Sequence, residues 1–313
     1  MSILLWFPFL SFACDNCNVY LNLSPNDYKN SIGIFMRHRE MYGEYNLLGE
    51  MITTRHAGHG NDMAFWGEKV VEKYFTYELR GSFYIREKWK TSVILPMVNN
   101  LQQIGDYRRY NITGIGDPII MESYQVFNTK QDALSGALKQ RLSIGAGLKF
   151  PLGKTNLEYT NGIPNLDLQP GTGSWDALVF IAYTVKWKFA GITANVNHKR
   201  NGLDAEDYRY GAVTNGTLNL FSDLSFKRFK VRLSTGVYIE HAQMDETALY
   251  SNELPFKHYD TGGTVLFGNG KIQVFTDHFT AFLEYQTPLK NSLNGYTQLL
   301  TKNKINTGII YTF

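Results

Sequence analysis

The stretch that most constrains this chain is Lys304–Phe313. Ile305, Thr307, Ile309, Tyr311 and Phe313 share one face at the period-two spacing of a strand. Asn306, Gly308 and Thr312 fall on the other face, with Ile310 as an apolar intruder. Chain ends of soluble domains usually fray. A terminal strand of this pattern is expected where it pairs with the first strand and closes a barrel, because an open edge in lipid leaves backbone groups unsatisfied. The expected fold is therefore all-β: a transmembrane antiparallel up-and-down β-barrel.

Composition agrees. The chain has 313 residues, of which 43% are hydrophobic, 14% aromatic and 19% charged, with a mean hydropathy of −0.26. No internal run approaches the roughly 18 apolar residues of a spanning helix. Aromatic-rich strands joined by polar loops are what a transmembrane barrel requires. The formal net charge of +3 and the absence of a basic block or stripe give no case for nucleic acid as a partner.

The N-terminus reads as a secretory signal over residues 1–13, although it lacks a basic n-region. Ile3–Phe12 is the apolar core, and Ser11 and Ala13 put small residues at the −3 and −1 positions of a cut before Cys14. Lipidation of Cys14 is the rival reading; it conflicts with Ser11, which stands where a lipobox has a branched apolar residue. Residues 14–29 carry Asn16, Asn22, Pro25, Asn26 and Asp27 and read as a periplasmic segment. The barrel is assigned to residues 30–313.

Taken in order, the alternation predicts about twelve strands of the roughly ten residues a tilted crossing needs. The clearest is Lys139–Phe150, with Leu142, Ile144, Ala146 and Leu148 outward and Arg141, Ser143, Gly145, Gly147 and Lys149 inward. Asn99–Gly114 reads as a loop, Ile115–Phe127 as the fourth strand, and Tyr208–Phe221 as the eighth. The connections alternate long and short. In bacterial barrels short turns are periplasmic, so both termini are expected in the periplasm and the protein in the bacterial outer membrane, in contact with its lipid.

The alternation also selects candidate lumen residues: Glu72, Glu78, Arg80, Lys90, Arg141, Lys149, Lys186, Arg232 and Glu284 lie opposite the apolar faces. Arg or Lys on the lipid face near the midplane costs about 2–4 kcal/mol, so these charges must point inward or sit at an interface. They either line a selective pore or fill a closed lumen as paired charges. Two further sets have ligand chemistry. Cys14 and Cys17 form a Cys-x-x-Cys pair in an oxidising compartment, open to a local disulfide or to metal. His56 and His59, in the glycine-containing stretch 55–60, are spaced to share a metal ion if the loop turns tightly. No other cofactor is implied. His38, His198, His241, His258 and His278 fall near strand ends, but no Gly-x-Ser-x-Gly stretch accompanies them, so the chain does not read as an enzyme.

Three motifs carry a resemblance. Gly114-Ile115-Gly116-Asp117-Pro118 opens a strand. Gly145-Ala146-Gly147-Leu148-Lys149-Phe150-Pro151-Leu152-Gly153-Lys154 closes another. Leu168-Gln169-Pro170-Gly171-Thr172-Gly173-Ser174-Trp175-Asp176 follows. In this order they resemble the outer-membrane barrel family associated with the meta-cleavage pathway of phenol degradation. The Cys14–Cys17 start resembles a Bacteroidetes branch of it. The ending resembles the C-terminal signal of bacterial outer-membrane barrels, which implies that the barrel-assembly machinery reads Ile309, Tyr311 and Phe313. The resemblance implies a channel or transporter for small molecules, hydrophobic ones included. The alternative is a non-transporting barrel that serves as a structural or accessory subunit with outer-membrane partners.

Overall fold

The structure, a computed structural model, describes residues 29–44, 69–129, 138–157, 166–248, 255–259, 261–294 and 299–313. The described strands are β1 (Ser31–Glu44), β2 (Lys69–Arg86), β3 (Trp89–Ile104), β4 (Tyr107–Ile115), β5 (Ile119–Asn128), β6 (Lys139–Lys149), β7 (Asp176–Trp187), β8 (Ala190–Asn201), β9 (Tyr208–Arg209), β10 (Val213–Ser225), β11 (Lys230–Ala242), β12 (Glu246–Thr247), β13 (Phe256–Lys257), β14 (Gly263–Phe275), β15 (Phe279–Leu293) and β16 (Leu300–Thr312). Thirteen of them form one antiparallel sheet that closes through β2–β3 pairing. β4 and β5 pair with successive halves of β3 and share one place in the wall, so the barrel has twelve strand positions. The remaining three form a small sheet, β13-β12-β9, at the end of the barrel where the long connections lie.

Closure follows from the C-terminal strand. β16 pairs with β1 from Ser31–Thr312 to Arg39–Lys304, and the Phe313 amide donates to the Asn30 carbonyl at 2.9 Å. Ile309, Tyr311 and Phe313 are exposed on the outer face. Ile310 faces inward, where it packs with Phe35 of β1 and Phe282 of β15, so the apolar intruder is a lumen residue.

The outer face carries an aliphatic belt that includes Ile34, Leu79, Leu148, Ile181, Leu220 and Leu283. At the short-turn end Phe83, Trp89, Trp187, Phe189, Phe229, Phe279 and Tyr311 form an exposed aromatic rim, and Trp175 and Tyr42 are exposed toward the other end. Such girdles suit the two membrane–water interfaces. Glu122 is an exception within the outer face, exposed and accepting a hydrogen bond from the Thr91 hydroxyl at 2.5 Å.

Three sequence expectations are corrected. Asn99–Gly114 is no loop: Asn99–Ile104 continues β3, Gly105 turns the chain at φ 55°, and Tyr107–Ile115 returns as β4. This hairpin extends past the end of β5, and its inward amides Asn100 and Gln102 bond Leu168 and Glu72, so the alternation fades. The fourth strand does not run unbroken to Phe127. The wall is interrupted at Gly116-Asp117-Pro118, where the alternation changes phase: Ile115 is outward, and Asp117 and Ile119 are both buried. Proline, which has no amide hydrogen, is compatible with such a break. Finally, Tyr208–Phe221 divides into β9 and β10, because Tyr210, Gly211 and Ala212 turn between the small sheet and the wall.

Deleting Ile309–Phe313 removes four of the twelve residue pairs of the β1–β16 seam, where each unsatisfied backbone group in lipid costs several kcal/mol. The expected outcome is loss of the heat-modifiable folded band in membrane fractions. Phe313→Asn is expected to lower its level with the band still present. Normal folded levels after the deletion would refute the seam.

Candidate functional site

Each predicted lumen charge lies on the inner side of the wall. Glu72 is fully buried, accepting from the Tyr74 hydroxyl and, at 2.8 Å, from Gln102 Nε2. Glu78 is held between Arg37 at 3.0 Å and Arg80, whose guanidinium also lies 4.3 Å from the Phe35 ring centroid. Glu284 is buried beside Gln286. Lys186 and Arg232 share Asp223. Lys90 and Arg141 line a small cavity with Ser123, Gln125 and Phe180. Lys149 belongs to a larger ion cluster.

Register orders the lumen into levels. Inward residues on β10 run Asp223, Phe221, Asn219, Thr217, Asn215 and Val213 away from the short-turn end. At the first level Asp223 binds Arg232 of β11 at 2.6 Å, and the guanidinium carbon lies 4.0 Å from the Phe221 centroid and 5.6 Å from that of Phe275. Beyond it, Asn219, Asn195 and Asn269 turn amides inward. At the level of Asn215 the lumen is crossed. Arg39 of β1 donates to Thr301 of β16 at 3.1 Å and reaches Glu240 of β11 at 3.3 Å, several strands round the wall. Lys304 binds the other Glu240 oxygen and lies 4.9 Å from the Phe267 centroid. Arg39, Glu240 and Phe267 have at most 2% exposure, so this crossing is tightly packed.

A second closure comes from the β6–β7 connection. After Lys149 the chain turns into the barrel. Leu168, on a single 3-10 turn, packs against Tyr74, Tyr110 and Ile112. Asn100 Nδ2 donates to the Leu168 carbonyl at 3.0 Å. The inward segment is held at the break in the wall. Asp117 accepts from the Gly153 amide at 2.9 Å and the Thr172 amide at 2.8 Å. Lys149 Nζ bridges Asp117 at 2.8 Å and Asp176 at 2.9 Å, and Lys199 adds a second cation to Asp176 at 3.3 Å. A Cβ on Gly171 would lie 2.6 Å from the Gly153 carbonyl carbon, so both strands of this loop need glycine to meet. The three motifs quoted from the sequence thus converge on one buried cluster.

At the short-turn end the lumen widens into a cavity of about 1040 Å³. Its lining includes eight lysine or arginine side chains, two aspartates and four phenylalanines. Arg141, Lys186 and Arg232 are the predicted residues it brings together.

Cys14, Cys17, His56 and His59 lie outside the described residues, as do the proposed signal peptide and most of the segment 14–29. Among the described residues no group of three or more His, Cys, Asp or Glu side chains could hold a metal ion. Of the histidines near strand ends, His38 stacks on Phe75, while His198, His258 and His278 bond Thr214, Thr247 and the Thr312 carbonyl. Sequence reasoning missed Arg37, Arg39, Lys199, Lys271 and Lys304, whose inward phase was readable from their apolar neighbours. It also missed Asp117, which stands where the alternation breaks, and Asp176, the first residue of β7.

This architecture is that of a closed antiparallel β-barrel of the outer-membrane kind, with twelve strand positions. No family model matches the chain, and no curated protein sequence matches it. Among solved structures it is similar to an outer membrane channel from Pseudomonas putida F1, at a TM-score of 0.63 and 11% identity, over 93% of this chain and 100% of the other. Weaker likenesses are to the β domain of the Bordetella autotransporter BrkA, at a TM-score of 0.44, 10% identity and 92% and 100% coverage, and to the porin NanC, at 0.40, 11% and 89% and 100%. The shared feature is the fold.

Breaking one partner of a buried ion cluster leaves an uncompensated charge, at about 3–5 kcal/mol. Asp176→Ala, which strands Lys149 and Lys199, is expected to lower stability by that order in urea unfolding from lipid vesicles. Glu40→Ala breaks the rim pair with Lys302, whose side chain is 58% exposed, and is expected to have a far smaller effect, since solvent screens such a pair. Equal effects would contradict the burial of the cluster.

Proposed function

We propose that the protein is an outer-membrane channel for small molecules whose conducting path is gated within the barrel. The observation that carries this reading is the graded lumen: a wide charged cavity at one end, an inward wall of amides, and a crossing at Arg39–Glu240–Lys304. A barrel built only as a scaffold has no need of a roomy cavity leading to a polar wall, since small barrels fill their lumen with side chains. Likeness over the full length of the Pseudomonas putida F1 channel supports the same class. In this reading the short-turn end, with Asn30 and Phe313, faces the periplasm, and the small sheet β13-β12-β9 faces outside. The narrower assignment to the phenol-degradation family rests on the three motifs, and the part they play here is to dock the inward segment. Recognition of Phe313 by the barrel-assembly machinery belongs to the same proposal.

The packed level at Glu240 favours a second reading, a closed barrel that serves an outer-membrane complex as a subunit. Planar-bilayer recording separates the two. The wild-type protein is expected to show small, infrequent openings. The double variant Arg39→Ala with Glu240→Gln, which keeps the formal charge of the crossing unchanged, is expected to conduct several-fold more. Absence of conductance in both proteins would sink the channel reading.

A further inference from the structure

We propose that the cavity at the short-turn end is a binding site for an amphipathic organic anion, an aryl carboxylate in particular. This rests on the channel reading only in naming what the path would take up or release; the site itself stands on the cavity.

Its charge is one-sided, eight cationic side chains against two aspartates. One aspartate, Asp223, is already engaged by both Lys186 and Arg232. The other six cations come from separate elements: Lys29 before β1, Lys139 and Arg141 from β6, Lys227 and Arg228 from the β10–β11 turn, and Lys230 from the start of β11. A concave surface of one sign with low-dielectric walls focuses its field inward and concentrates counter-ions. An anion is the ligand such a field selects.

The apolar part of the lining says which kind of anion. Phe221 and Phe275 flank the Arg232 guanidinium inside the cavity, while Phe226 and Phe229, stacked at 4.8 Å, stand at its mouth on the outer rim. Inorganic phosphate or chloride gains nothing from these rings and gives up hydration. A ring-bearing carboxylate matches both: its charge meets the cations and its face meets phenylalanine or the guanidinium plane. The volume, about 1040 Å³, lies at the upper end of small-ligand pockets and admits a two-ring body.

The test uses the full chain in lipid nanodiscs, with empty discs as the blank, and reads the fluorescence of 2-naphthoate. 2-Naphthalenemethanol, the uncharged counterpart, and inorganic phosphate serve as competitors. The expected result is saturable naphthoate binding that weakens with added salt, with the alcohol and phosphate each at least tenfold poorer. The double variant Arg141→Gln with Arg228→Gln, which leaves the Asp223 network intact, is expected to bind at least tenfold more weakly. If this variant does not fold, the wild-type salt dependence and the alcohol comparison decide. Equal binding of naphthoate and the alcohol, phosphate as strong as naphthoate, or no saturable binding would each overturn the proposal. Naphthoate binding without conductance in any variant would keep the site and remove the channel; conductance without naphthoate binding would do the reverse.

Discussion

The ammonium group of Lys149, seated between Asp117 and Asp176, is the contact on which the inner architecture depends. β6 ends there, and among the described strands β4 pairs with β3 alone, so the wall above Lys149 has no neighbouring strand to complete it. The inward segment takes that place from inside. Asp117 satisfies two of its amides, and Thr172 and Ser174 extend the network to Asp176. Desolvating two carboxylates and two amines is costly, and a cluster of this kind contributes more to uniqueness than to net stability. Here it sets which way the β6–β7 connection points.

That choice shapes the lumen. Leu168 and Gln169 occupy the upper interior against β2 and β4, while Arg39, Glu240 and Lys304 cross the barrel from its other side. Both closures sit away from the short-turn end, which leaves the cavity there open. The two are chemically distinct. The inward segment is held by backbone amides and glycine contacts. The crossing is made of three side chains and can be rearranged by rotamer changes alone.

Much of this was legible in the sequence, and the reason is the lipid. Where a strand faces hydrocarbon on one side and a polar lumen on the other, period two is enforced, and residues such as Arg141, Lys149 and Arg232 can be assigned a face without a structure. The signal fails where the constraint lapses. Asn99–Ile104 extends beyond the membrane belt and reads as a loop, although it is strand. Asp117 sits at a strand break, and Asp176 opens β7, where inward Leu178 and outward Val179 are both apolar and mark no face. Ile310 looked misplaced because a lumen was expected to be polar; its partners Phe35 and Phe282 lie far away in sequence, and only the register of β1, β15 and β16 brings them together.

The β1–β16 seam has a kinetic side. Ser31 pairs with Thr312, so the last ladder of the sheet joins residues from opposite ends of the described chain. Every other wall contact links strands close in sequence, the β2–β3 hairpin included. The sheet can therefore grow hairpin by hairpin, but it keeps two exposed edges until the final pairing is made. Long-range pairings form slowly because loop-closure entropy is lost before the contacts that reward it exist. Until that pairing forms, both edge strands of the sheet lack a partner. It is at this stage, rather than in the finished barrel, that the chain is most exposed to pairing with the wrong strand.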